Sequence, residues 1–136
     1  MPVLHTLGRA TEPYDSQGTR RFHFNGPDIR ITSGAVIALA MTLNELCTNT
    51  TKFGALSNAD GRVEIAWTID EGKQRMRLTW TEKGGPPVHH PTRRSFGTRM
   101  METLGQQLNG HVQLTYDPSG FVYFLDVPLG SIIANA

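Results

Sequence analysis

The sequence contains a single cysteine, Cys47, in 136 residues, so no internal disulfide framework holds it together. It also lacks an excess of either charge: 13 Lys and Arg stand against 12 Asp and Glu, and the formal net charge is +1. That balance excludes bulk attraction to nucleic acid or to an anionic membrane surface, and nucleic acid is not expected as a partner. No apolar run approaches the roughly 20 residues that span a bilayer. The opening stretch MPVLHTLGRATEPYD lacks the basic and apolar blocks of a secretory signal. The expectation is a soluble, cytoplasmic piece, with any membrane anchor of its parent lying outside the sequence. What the chain does have is 14 Gly and 8 Pro beside 38% apolar residues, the composition of a globular domain with at least one long loop. Its length suits one domain, because single domains cluster at roughly 100–150 residues.

Residues 1–20 mix Gly8, Pro13 and Gly18 with polar side chains without a clear period, and they read as the remnant of a linker. Phe22 and Phe24, then Ile29 and Ile31, alternate with polar residues around Asn25-Gly26-Pro27, which predicts short strands over 21–25 and 28–32. From Ser33 the period changes. Val36, Leu39, Leu43, Leu46, Thr50 and Phe53 recur every three or four residues, predicting a long helix capped by Thr32 or Ser33 and closed by Gly54. Alternation returns over 62–69 and 74–80, with Trp67 and Trp80 on the apolar side, and Asp70-Glu71-Gly72-Lys73 between them has the composition of a hairpin turn. Residues 83–97 hold Gly84, Gly85, Pro86, Pro87, Pro91 and Gly97, a density that no helix or strand interior tolerates. A loop of that length in a compact domain is usually functional. A helix over 98–108 and a hairpin pairing 111–116 with 120–127 complete the order. Regular β-α-β alternation is absent, so the fold class expected is α+β, a two-layer α/β sandwich over 21–130 with a tail over 131–136.

Glu45, Asn49 and Lys52 lie at i, i+4 and i+7, so they share one face of the long helix while Leu43, Leu46 and Phe53 occupy another. An ordinary solvated face with an incidental Glu/Lys pairing fits that spacing as well, and spacing does not decide between them. The loop, however, ends in Ser95-Phe96-Gly97-Thr98 at a helix start. Backbone N–H groups there, with the helix dipole, suit phosphate oxygens.

Three blocks taken together resemble the HATPase domain of sensor histidine kinases, within the GHKL superfamily and specifically the HWE and HWE-like group. N-E-L-C-T-N-T-T-K-F-G-A-L-S at 44–57 resembles the N box, W-T-E-K-G-G-P-P-V at 80–88 the G1 region, and R-R-S-F-G-T-R-M-M at 93–101 the G2 region. L-N-G-H-V at 108–112 and Pro128-Leu129 also fit, so the resemblance runs from about Glu12 to Leu129. It implies the Bergerat fold, with a mixed sheet packed on helices, and an ATP-binding domain that passes the γ-phosphate to a histidine on a separate domain. It implies Asn49 as the Mg²⁺ ligand, Glu45 as the group that orients or deprotonates the attacking imidazole, and Lys52 near the phosphates. By the same resemblance Glu82 accepts a hydrogen bond from the adenine amino group, where many such kinases have aspartate, and Gly84 and Gly85 let the backbone approach the base. Gly97, Thr98 and Arg99 meet the phosphates, and Arg93 or Arg94 closes over them from an ATP lid. The implied partners are a phosphoacceptor histidine domain of the same protein and a downstream response regulator, with the fragment monomeric and the full-length protein a homodimer.

The sequence departs from the family pattern at Asn44, where the HWE group has histidine, and at Ser95, where the G2 block has glycine. The acceptor helix is missing altogether. These departures keep open a degenerate, kinase-like domain of the histidine phosphotransferase type that binds partners without ATP turnover. A serine kinase of the anti-sigma type shares the nucleotide fold, but the W-T-E and G-G-P-P blocks argue against it. His89 and His90 are adjacent, so their side chains diverge, and no Cys or acidic partner sits at zinc-ligand spacing from them; His5 does not resemble a phosphoacceptor box. Cys47 falls near the apolar side of the long helix and is expected to be a buried, inert thiol.

Overall fold

The computed structural model describes residues 2–15, 20–89, 91 and 95–134. Helix α1 (Val3–Thr11) is followed by strand β1 (Phe22–Asn25), helix α2 (Ser33–Lys52) and the hairpin β2 (Arg62–Asp70) and β3 (Arg75–Lys83). After the loop come helix α3 (Phe96–Gln107) and the hairpin β4 (His111–Asp117) and β5 (Gly120–Pro128). The strands form one five-stranded sheet in the order β1-β2-β3-β5-β4. β1 pairs with β2 in parallel and every other pair is antiparallel, so the sheet is mixed, as expected.

Alternation decides which face of the sheet is covered. Val63, Ile65 and Trp67 of β2, Met76, Leu78 and Trp80 of β3, and Tyr123, Leu125 and Val127 of β5 are buried and join Leu39, Leu43, Leu46, Met101 and Leu104 of the helices in one core. The opposite face carries polar side chains, among them Arg75, whose Nε donates to Asp126 Oδ1 at 2.6 Å. Helices on one face of an α+β sheet give the two-layer sandwich. Among the described residues no helix is long and apolar enough to cross a membrane.

The caps of α2 and α3 come from short polar residues. Thr32 accepts from Ala35 N, and Ser95 Oγ accepts from Thr98 N at 3.0 Å, so α3 begins at Phe96, two residues ahead of the predicted start. Three other expectations need correction. The connector read over 1–20 holds α1, in which Val3 and Leu7 are fully buried beside Thr6 and Thr11. Threonine hid this helix in the sequence: Thr11 Oγ1 donates back to Leu7 O at 2.9 Å, which lets a polar residue sit in the core. Residues 28–32 are not a strand, because they are held end to end by other partners. Arg30 bridges Pro2, Ile31 bridges Ile133, and Thr32 N donates to Ile132 O at 2.8 Å. The tail packs for the same reason, with Ile132 fully buried.

Arg21 ties the beginning of β1 to the segment that follows α2. Its Nε donates to Gly61 O at 2.9 Å, and its guanidinium also reaches the carbonyls of Ala55, Leu56 and Asn58. Four chain carbonyls are thereby gathered around one cation.

Candidate nucleotide site

The C-terminal end of α2, the end of β3 and the start of α3 enclose a cavity of about 410 Å³. Asn49, Phe53 and Gly54 line it from one side and Glu82 from β3. Pro87, Val88, His89 and Pro91 of the loop, Ser95, Thr98 and Met101 around α3, and Tyr116 and Phe121 of the last hairpin close the remainder.

Glu82 is buried because it occupies the next inward position after Met76, Leu78 and Trp80. A charge on that stripe needs partners. Its Oε1 accepts from Ala55 N and its Oε2 from Trp80 Nε1, each at 3.0 Å. A Cβ at Gly54 would overlap Oε1, so glycine at that position leaves room for the carboxylate. Glu45 is half-buried and lies across from α3: a Cβ at Gly97 would overlap its carboxylate. The expected helix face therefore points at the second helix start and not into the apolar interior.

The sequence-predicted residues divide accordingly. Asn49, Glu82 and Thr98 open onto one cavity, and Glu45 meets Gly97. Lys52 and Arg99 are exposed and are not among the lining residues. Gly84 and Gly85 shape the turn instead of lining the space. Gly84 has φ +76°, and side chains at the two positions would meet the backbone of Asp60 and of Ala55. Arg93, Arg94 and His90 lie outside the described residues.

Phe53 departs from its expected place on the packed stripe and is 76% exposed at the cavity. The helix ends at Lys52, and Phe53 has left helical geometry at φ −128°, so the period no longer dictates its direction. Sequence reading also missed Tyr116 and Phe121, whose rings pair at 5.2 Å beside the Asp117–Gly120 turn. A cross-strand aromatic pair is legible in the sequence. Its position beside the cavity is not, because that depends on the hairpin tip crossing β3, where a Cβ at Gly120 would overlap Glu82 O.

Cys47 lies under this site. Burial, and secondarily the charge of Glu82, pushes its thiol up from 9.0 to about 12. The unfolded chain therefore loses this proton at lower pH than the folded chain, and the thiol's contribution makes stability fall as pH rises from about 9 toward 12. Equilibrium denaturation at pH 8 and pH 10 should show a smaller decline for Cys47→Ala than for the unsubstituted chain. The folded protein should also leave a thiol reagent unconsumed at pH 8 until denaturant is added.

No protein-family model matches the chain. It is 33% identical over 130 residues to the blue-light-activated histidine kinase of Brucella ovis, a match covering 93% of this chain and 27% of that protein. The chain thus spans about a quarter of the length of the curated relatives it matches. Among solved structures, the histidine kinase domain of the Erythrobacter litoralis EL346 blue-light-activated kinase aligns with TM-score 0.71 at 19% identity, covering 96% of this chain and 66% of that one. The catalytic domain of histidine kinase ThkA aligns with TM-score 0.67 at 12% identity, covering 94% of each chain. Sheet order and helix layer match those neighbours, so the two-layer α+β sandwich is the fold they share with this chain. The chain is thus similar in sequence to a part of the blue-light-activated histidine kinases and has the fold of histidine kinase catalytic domains.

Proposed function

We propose that the cavity holds ATP with Mg²⁺ and that the domain transfers the γ-phosphate to a histidine on a separate phosphoacceptor and dimerisation domain, for onward passage to a response regulator. One observation carries the reading: Asn49, Glu82 and Thr98 open onto a single cavity of about 410 Å³. That volume lies within the range of small-molecule sites, roughly 300–1,000 Å³. Glu82 supplies a buried acceptor for the base, and the N-terminus of α3 supplies backbone donors for phosphate. In the transfer, an imidazole nitrogen of the acceptor bonds to the γ-phosphorus, the bond from that phosphorus to the bridging oxygen breaks, and ADP leaves. Glu45, which faces Gly97 at the α3 start, orients the imidazole or takes its proton.

The donor set suits Mg²⁺ held jointly with a nucleotide. Among the described residues no group of three or more His, Cys, Asp or Glu could hold a metal ion alone. Asn49 offers one neutral hard oxygen, which leaves the remaining positions to triphosphate oxygens and water. The cation would neutralise charge that develops on the transferring phosphoryl group. Whole-protein features belong to the same proposal: a monomeric fragment, a homodimeric parent and a cytoplasmic location.

The rival reading as a degenerate binding domain rests on Asn44 and Ser95. Ser95 caps α3 and lines the cavity, whereas Asn44 faces outward and accepts from Tyr14 Oη at 2.9 Å. Both substitutions have a place in the structure, which favours the kinase reading. Thermal unfolding with and without MgATP separates the two. A ligand at a hundred times its dissociation constant adds about 2.7 kcal/mol of apparent stability, and no increment at millimolar MgATP would select the degenerate domain. With the acceptor hairpin supplied, Glu45→Ala should retain the increment and lose phosphotransfer.

A further inference from the structure

The proposed function has Glu82 recognise the adenine amino group, and any role for its neighbour Trp80 in base selection rests on that reading. The carboxylate is not free to choose its orientation. Trp80 and Glu82 are two residues apart on β3, so both point inward, and the indole Nε1 donates to Oε2 at 3.0 Å. Trp80 is itself fixed: its side chain is fully buried and its ring meets Phe22 edge-on with centroids 6.0 Å apart. On the other oxygen, Ala55 N donates at 3.0 Å. Glutamate reaches one methylene further than aspartate, and this reach brings Oε1 to the place that a Cβ on Gly54 would occupy. Gly54 and Trp80 are thus matched to the longer acid.

We propose that Trp80 is a positioning residue for nucleobase selection. An indole N–H can only donate, and each carboxylate oxygen has room for two hydrogen bonds. With one site on each oxygen taken by Trp80 and Ala55, the carboxylate is held as an acceptor, and its remaining lone pairs serve the cavity that it lines. A 6-aminopurine meets a complementary acceptor there. A 6-oxopurine would place carbonyl oxygen against carboxylate oxygen and is rejected. Selection therefore depends on a tryptophan that need not touch the nucleotide.

Calorimetric dissociation constants for ATP and for purine riboside 5′-triphosphate, which lacks the 6-amino group, test the idea on the full chain. The unsubstituted chain should prefer ATP by about tenfold or more, the value of one hydrogen bond to a charged acceptor. Benzothienylalanine at position 80 keeps the shape of the indole and removes its N–H. It should cut that preference severalfold while leaving affinity for purine riboside triphosphate within about twofold. Trp80→Phe should move the ratio in the same direction, with a lower melting temperature. An unchanged ratio in the benzothienyl variant, or an equal loss for both nucleotides, would overturn the positioning role and leave packing alone. Equal binding of both nucleotides by the unsubstituted chain would overturn the reading of Glu82 itself, a failure visible before any variant is made.

Discussion

Replacing Asn49 by aspartate should remove the stabilisation expected from saturating MgATP. Asn49 lies one helical turn beyond Glu45 on α2 and lines the cavity with Glu82 and Thr98. Its amide offers one acceptor oxygen and an N–H₂ group. Aspartate keeps the size and one oxygen, but replaces the donor with a second, charged oxygen beside the place proposed for the triphosphate. Two like charges about 4 Å apart repel by about 4 kcal/mol at the effective dielectric of a protein surface. That exceeds the increment of about 2.7 kcal/mol expected at a hundred times the dissociation constant. The stabilisation should fall below about 0.5 kcal/mol, while the nucleotide-free protein, in which Asn49 is half-buried, melts within about 2 °C of its unsubstituted value. A full increment in Asn49→Asp would take this residue out of the site.

Gly61→Ala should damage the fold itself, with a loss of about 3 kcal/mol and a fall in melting temperature of roughly 10 °C. The reason is what the new methyl would meet. At Gly61 it would overlap the carbonyl carbon and oxygen of Ala55, backbone that Arg21 also holds. Neither chain can move aside without breaking the turn that brings Ala55 N to Glu82. Gly97 offers the contrast, because there the atoms nearest the methyl all belong to the flexible Glu45 side chain and none to the backbone. Gly97→Ala should therefore cost less than about 1 kcal/mol in the nucleotide-free state and act instead on Glu45, seen as lost phosphotransfer. Chemical denaturation of both variants checks the pair, and equal losses would show that the two close approaches are of one kind.

The sandwich was legible because its strands and its long helix carry unbroken periods. Arg62 to Asp70 and Arg75 to Lys83 alternate cleanly, and the register that pairs Ile65 with Trp80 follows from that alternation and the turn between them. Helix α1 was not legible, since its inward face includes Thr6 and Thr11, and a threonine that bonds its own helix counts as polar in the sequence and apolar in the fold. The failed strand over 28–32 has a related cause. Its alternation is real, but its partners are Pro2 and Ile133, from opposite ends of the chain. No local pattern announces them.

The candidate site divides along the same line. Helical spacing put Glu45 and Asn49 on a shared face without deciding their role, and Glu82 entered only through the family resemblance, because the strand read from the sequence stopped at Trp80 while β3 runs on to Lys83. Phe53, Tyr116 and Phe121 were missed because their roles depend on where one element ends against another. Local periodicity says which way a side chain points. It is silent on what stands opposite, and half of this cavity is defined by what stands opposite.

Arg21 carries the same point into the cutting of shorter fragments. A clone trimmed to start at Phe22 would keep every strand and every side chain that lines the cavity. It would also untie the carbonyls of Ala55, Leu56, Asn58 and Gly61, whose common cation braces the segment that delivers Ala55 N to Glu82. The buried carboxylate proposed to hold the base is thus wired to a residue 61 positions upstream of it.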